Sequence, residues 1–462
     1  MTTTRLSGPR ALGRRLGAGA ALALALAGCQ AANDRLLGVV DPDIINPTDV
    51  STADAATALG NGVLATFNSI TGGAESTWLF GGLLADEWST SSTFIQNDET
   101  DQRLIPEFNS SITGMVRNLY RVRTRADEAI AALRKYSPTS TALIGEMYLA
   151  RGFAELQLAS DFCNGIPIGN GNAIPPENGT PRSTQQVFTL AGASLDSAIA
   201  TATATDTRSV LVNRAARIAR GRVGLALGDF ANAAALVAGI PSAFAYQHTY
   251  SLTTGSNTLW GQGISARRYS VGDSVEGNSR NIPVANAIPF ASARDPRLPV
   301  TIPTSGAING QDGQTYARTT AMWGQLTPVD VANGIDARMI EAEAALRAGN
   351  AAQWLAIHNA LRAAPPKLGE IQPAALAPLA DPGTEAARVT LHFREKAFWT
   401  FSRGQRLGDM RRLIRQYGRT EATVFPQGVH YKGGSYGRDV NLPMVQAERN
   451  NPNFNGCTDR NP

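Results

Sequence analysis

Arg406, Asp409 and Arg412 stand three residues apart, a spacing that on a helix sets one carboxylate between two guanidinium groups. Such a carboxylate can accept paired, charge-assisted hydrogen bonds and lock its helix against its neighbours, whereas in water the same residues form only a charge ladder. Other groupings with chemical potential are weaker. Gly433-Gly434-Ser435-Tyr436-Gly437 spells G-x-S-x-G, but no apolar strand precedes it and no helical pattern follows, and a nucleophile elbow needs both. Asp86 and Glu87 are adjacent, so on a helix they do not face a common point as an acid/base pair would; helix-end and loop contacts fit them better. His248, His358, His392 and His430 are scattered without metal-ligand spacing, and neither a C-x-x-C pair nor a glycine-rich phosphate loop followed by Lys is present. No catalytic residue, metal or cofactor is expected.

What remains is recognition by aromatic surfaces. Trp78, Trp88, Trp260, Tyr269, Tyr316 and Trp323 lie in or beside segments rich in Gly, Pro, Ser, Thr and Asn. Aromatic faces displayed on loops suit sugar rings, whose C–H faces stack on flat apolar surfaces while nearby Asn, Asp and Arg take the hydroxyls. These six are the candidate ligand contacts.

The elements that must position them are helical. Apolar residues recur at helical spacing in 48–71, 115–133, 141–158, 187–203 and 213–237, and again in 338–361 and around Gly404. Ala226-Leu227-Gly228-Asp229-Phe230-Ala231 resembles the turn of a tetratricopeptide pair, in which Gly closes the first helix and alanines let the second approach; Ala345-Leu346-Arg347-Ala348-Gly349-Asn350 resembles a second copy. The two lie much further apart than the ~34-residue period of a continuous array, so insertions interrupt the repeats. The expected organisation is a helical half over 48–240, a loop-rich insertion over 241–335 as the candidate ligand-binding region, and a helical pair, last helix and loop-rich tail over 336–462, all in one body.

The first residues set the address. Arg5, Arg10, Arg14 and Arg15 precede an apolar run, Leu16 to Ala27, that is too short to span a bilayer stably; 1–28 read as a secretory signal. It ends in Leu26-Ala27-Gly28-Cys29, which resembles the lipobox of bacterial lipoproteins. Cys29 is therefore the expected lipidation site, with 29–47 as a tether. Removing the four signal arginines from the chain's 42 basic residues leaves 38, equal to the 38 acidic ones. The basic balance is then a property of the leader, and no Lys/Arg tract interleaved with aromatics argues for nucleic acid. In an exported chain the two remaining cysteines, Cys163 and Cys457, are expected to pair.

Together these parts resemble the SusD/RagB family of outer-membrane nutrient-binding lipoproteins over nearly the whole chain. The resemblance is carried by the lipobox at Cys29, by Tyr148-Leu149-Ala150-Arg151-Gly152-Phe153 leading to Phe162 and Gly165-Ile166-Pro167, and by Arg294-Asp295-Pro296-Arg297-Leu298. It continues through Ala342-Glu343-Ala344 before Gly349-Asn350, then Gly404, Arg406, Asp409 and Arg412, Phe425-Pro426, Leu442-Pro443, Glu448 and Asn451-Pro452. Arg403 stands where the family commonly has Glu, and Trp399 replaces an upstream acid. The resemblance implies a mainly α fold of about four tetratricopeptide-like pairs with ligand capture on loops. It also implies no catalysis, and a partnership in which a lipid-anchored, outward-facing outer-membrane protein delivers an oligosaccharide or other nutrient to a SusC-like TonB-dependent transporter. Arg406, Asp409 and Arg412 then become structural. The alternative is a tetratricopeptide-type scaffold lipoprotein that organises envelope proteins.

Overall fold

A computed structural model describes residues 50–72, 76–277, 280–303 and 309–462. The signal segment, Cys29, the tether and the start of the first helical pattern at Thr48 lie outside these residues. Ser51–Pro462 forms one compact unit.

Amphipathic periodicity becomes antiparallel helices. α1 (Ala53–Gly72) buries Val63, Phe67 and Ile70 and packs on α4 (Ser110–Tyr136), which packs in turn on α5 (Thr141–Asp161). α5 then packs on α6 (Thr184–Thr201), α6 on α7 (Thr207–Leu227), and α7 on α8 (Phe230–Val237). α9 (Gly334–Arg347) rests on α8 and pairs with α10 (Ala351–Ala363), so the insertion is bypassed and the helical stack continues. The short helices α2 (Thr77–Leu84) and α3 (Ile95–Asp101) precede α4 in the chain, and α11 (Glu385–Trp399) and α12 (Arg406–Tyr417) follow α10.

Local chemistry fixes the boundaries. Ser183 and Gln186 form a capping box at the start of α6, and Asn333 and Asp336 form another at the start of α9. Gly228 ends α7 at φ 81°, a left-handed conformation that glycine adopts without steric penalty; the single helical pattern of 213–237 therefore resolves into two helices.

The insertion is mostly irregular, but short antiparallel pairings tie it down. β1 (Trp88–Thr90) pairs with the insertion strand β5 (Tyr269–Val271), and β4 (Ala245–His248) pairs with β6 (Val329–Asn333) at the insertion's two ends. Between α5 and α6, β2 (Ile166–Asn170) pairs with β3 (Glu177–Arg182). The tail is fastened to the first helical half by the Cys163–Cys457 disulfide, which links residues 294 apart.

Candidate functional site

The Arg406–Asp409–Arg412 face sits in a buried charge network. Asp409 accepts from Lys396 at 2.7 Å and from Arg412 at 3.3 Å. Arg412 also donates from both terminal nitrogens to the buried Glu343 of α9, and the Tyr417 hydroxyl donates to that carboxylate at 2.6 Å. Burial, the largest single influence, disfavours the Glu343 charge, yet Arg412, His392 and Lys396 together outweigh it and hold the carboxyl well below its ordinary range. One detail of the expected triad is corrected: Lys396 on α11, rather than Arg406, completes the pairing of Asp409, because α11 and α12 meet across the turn at Gly404. Arg406 lies buried with its Nε unpartnered, close enough to Glu87, Asp409 and Asp86 to feel their charges.

The residues that depart from the family pattern have found other partners. Arg403 makes a bidentate pair with Asp336 at 2.9 and 2.7 Å, reaching the first turn of α9. Trp399 lies 4.8 Å beneath the guanidinium of Arg297, which also binds Glu395 at 2.8 Å and Asp295 at 2.7 Å. Arg362 of α10 joins the same Glu395 at 2.8 Å. The insertion is thus pinned to α10 and α11 by one shared carboxylate.

Four of the six aromatic candidates belong to the core. Trp78, Trp88, Tyr269 and Trp323 are buried, with Trp88 1% exposed. Trp88 packs against Phe401 at 5.0 Å, Tyr269 at 6.2 Å and Trp323 at 6.4 Å, and Trp323 stacks on Phe401 at 6.2 Å. Trp78 lies against Gly404, where a Cβ would overlap its indole. These four side chains cannot offer a face to a ligand. The β1–β5 pairing explains why: it draws Trp88 and Tyr269 inward from segments that read as loop. Trp260 and Tyr316 remain half-exposed on the insertion.

The acidic dipeptide is buried in the same neighbourhood. Asp86 follows the end of α2 at φ 59°, and neither of its carboxyl oxygens has a hydrogen-bond partner among the described residues. Glu87 accepts from the Ser402 backbone N–H at 3.0 Å. Burial raises Asp86 well above the usual carboxylate range and raises Glu87 to about 8. His358 and His392, distant in sequence, meet at 3.0 Å; burial, reinforced by the His392 charge, pushes His358 down to about 2, so it is neutral. Among the described residues no cluster of three His, Cys, Asp or Glu could hold a metal. Ser435 sits in an exposed turn bridged to Val429, with no helix after it, and lacks the elbow geometry.

The surface best suited to a ligand centres on a residue that the sequence reading missed. Phe94, 45% exposed, stands at the start of α3, and the Arg268 guanidinium lies 4.6 Å over its ring. Arg268 donates to Gln311 at 3.2 Å and to Gln262 at 3.3 Å. The Gln311 carbonyl also faces the Ser92 and Thr93 hydroxyls at 3.3 and 3.4 Å. Lys432 ties the patch to the tail, donating to the Ser92 carbonyl and Asp98 at 2.8 Å each and pairing with Asp312 at 3.2 Å. Four chain segments thus converge on an orientated aromatic ring bordered by amides, hydroxyls and charges. The turn that bears Trp260 leads directly into Gln262, and Tyr316 closes the loop that carries Gln311. The legible signal was one Phe within the polar run Ser89 to Asp98.

Two open concavities lie elsewhere. One, of about 590 Å³, is lined by Asn68, Tyr246, His248, Tyr250 and Ser256. The other, of about 700 Å³, is lined by Arg117, Arg449, Asn450 and Phe108, which is 71% exposed.

No family model and no curated protein matches the sequence. Solved structures do match the fold. A SusD superfamily protein from Bacteroides vulgatus superposes with a TM-score of 0.59 at 15% identity, covering 88% of this chain and 100% of its own. A SusD-like protein from Bacteroides fragilis gives 0.61 at 12% identity, with 92% and 99% covered. A SusD-like carbohydrate binding protein from Bacteroides vulgatus gives 0.56 at 14% identity, with 78% and 83% covered. The chain has the SusD-like fold, a mainly α body of tetratricopeptide-like pairs.

Proposed function

We propose that this SusD-fold chain is a non-catalytic glycan-capturing protein, and that it binds an oligosaccharide on the surface built around Phe94 and Arg268. The observation that carries the reading is the exposed Phe94 ring, held in place by the Arg268 guanidinium and flanked by the Gln262 and Gln311 amides. An orientated ring loses little side-chain freedom when a sugar stacks on it, and the adjacent amides and hydroxyls can meet the sugar's hydroxyls. Trp260 and Tyr316, on the segments that supply those amides, are the flanking contacts. Both the name of the carbohydrate-binding neighbour and the whole-length fold correspondence support the same class of ligand.

The cellular setting is part of the same proposal and rests on the lipobox-like Leu26-Ala27-Gly28-Cys29 and on what the family resemblance implies. The mature chain is anchored through lipid on Cys29 to the outer membrane, faces outward, and hands its ligand to a SusC-like TonB-dependent transporter. A single acyl chain binds membranes only marginally, so the several chains of a lipoprotein cysteine suit stable anchoring. A glycan array probed with the mature protein tests capture, and affinity purification from native membranes tests the partnership. Retention of one or more oligosaccharides and recovery of a TonB-dependent barrel are expected. Binding to no glycan would refute capture, and recovery of other envelope proteins without a barrel would favour the scaffold reading.

A further inference from the structure

Arg406 is the one member of its charged face that the fastening of α12 does not use. It is 7% exposed. Its guanidinium makes no hydrogen bond or ion pair among the described residues, and its Nε is sealed from solvent. Glu87, Asp409 and Asp86 act on it only through space. Asp409 is taken by Lys396 and Arg412, Glu87 accepts from Ser402, and both Asp86 oxygens are unpartnered. Trp399 and Arg403, where the resemblance places acids, supply no carboxylate either. A guanidinium has five N–H donors, and burying it without an acceptor is costly.

Arg406 lines a cavity of about 230 Å³ between α11, α12, the insertion segment 286–289 and the short helix Glu421–Val424. The cavity shares no residue with the Phe94 surface. Two more arginines line it, and no acid does. Arg394, on the exposed rim, comes no nearer than 4.0 Å to Glu395, which serves Arg297 and Arg362 at 2.8 Å each. Arg419, half-buried, donates to the Ala386 carbonyl at 2.8 Å and to the Thr390 hydroxyl at 3.0 Å. The other side-chain donors of the lining are committed: Thr390 to Ala386, Thr423 to Thr420, and the Asn286 amide to Ala422 and Phe425, all to backbone carbonyls. Guanidinium N–H groups are therefore what the cavity offers a ligand, and Ile288, Phe393 and Val424 belong to its apolar wall.

We propose that this cavity binds a small organic monocarboxylate, its carboxylate on Arg406 and its apolar body against Ile288, Phe393 and Val424. One carboxylate answers one buried guanidinium, and its two oxygens suit the planar fork of donors. An inorganic anion would leave the apolar wall uncovered, and a sugar would bring hydroxyls to that wall without partners. The volume lies below the ~300–1,000 Å³ of pockets for drug-sized ligands, so the body is a single ring or a short chain. This ligand is a second one, bound independently of the glycan.

Calorimetric titration of the mature protein with benzoate, benzyl alcohol and inorganic phosphate separates the need for the charge from the need for the body. Benzoate is expected to saturate one site, and the other two to bind more weakly or not at all. Arg406→Gln should weaken benzoate binding at least about tenfold, the worth of a charged hydrogen bond. Arg394→Gln, at an exposed position where folding is not at stake, should weaken it about two- to fivefold, as for a rim charge. Benzoate should also raise the melting temperature of wild type but not of Arg406→Gln. Absence of benzoate binding, equally tight binding of phosphate or benzyl alcohol, or unchanged affinity in either variant would overturn the proposal.

Discussion

Trp88 and Phe94 are six residues apart, and the chain uses them in opposite ways. Trp88 enters a strand that pairs with Tyr269–Val271, so its indole is carried into a core shared with Trp323 and Phe401. Phe94 sits at the first turn of α3, makes no cap bond, and holds its ring at the surface under a guanidinium. One aromatic cluster welds the insertion to the helical body, and the other is left available. Counting aromatics in a loop-rich segment cannot separate the two uses, because the separation depends on which short strands find partners.

The largest expected effect tests the welded side. Trp88→Ala should cost about 3 to 5 kcal/mol of unfolding free energy, since it empties a fully packed aromatic site. Denaturant titration measures this, and a loss below about 1 kcal/mol would erase the distinction between the two regions. Arg412→Met tests whether the charged fastening of α12 matters on a similar scale. Leaving Glu343 buried without its guanidinium should cost about 3 to 5 kcal/mol at neutral pH. Combining it with Glu343→Met should recover much of the loss, because both charges are then gone.

Glu87 sharpens the comparison through pH. Burial raises its folded-state pKa to about 8, above the ordinary carboxylate value that the unfolded chain has. Between roughly pH 4.5 and 8 the unfolded chain therefore releases a proton that the folded chain keeps. Stability is fully present below that window and falls as pH rises through it, by up to roughly 1.4 kcal/mol per pH unit for one such group. Glu87→Gln retains an oxygen to accept from Ser402 and removes this titration. Its melting temperature should decline less than that of wild type between pH 5 and 8, and an unchanged slope would show that Glu87 is ionised in the folded protein. The smallest stability effect belongs to Phe94→Ala, which loses only the exposed contact with the Arg268 guanidinium and should cost about 0.5 to 1 kcal/mol.

How much of this was legible follows from how local each signal is. The helical pattern before Gly404, with Phe393 and Ala397 on one face, gave the α11 helix, although Phe401, next in that rhythm, lies beyond its end at Trp399, and Gly228 and Gly349 marked turns where the helical pairs close. The pairing of Cys163 with Cys457 could be argued because, with 1–28 read as a signal and Cys29 as the lipidation site, no other partner remained. The partners of Arg412 and Arg297 could not, since Glu343 and Glu395 lie 69 and 98 residues away. The same limit hid the meeting of His358 with His392. Four aromatics of the proposed ligand set turned out to be core for a related reason: short strands such as Tyr269–Val271 are too brief to display an alternating pattern. Phe94 was overlooked because a lone Phe in a polar run carries no periodicity at all.

The central claim is that ligand capture uses Phe94 rather than the aromatics of the core. The most direct measurement is side-by-side glycan-array binding, followed by calorimetric titration with the best oligosaccharide, for wild type, Phe94→Ala and Phe108→Ala. The account predicts that Phe94→Ala weakens binding at least about tenfold, roughly the worth of one stacking contact, with a melting temperature lowered only slightly by loss of the Arg268 contact, and that Phe108→Ala binds as wild type does. Full affinity in Phe94→Ala, or loss in Phe108→Ala instead, would contradict it.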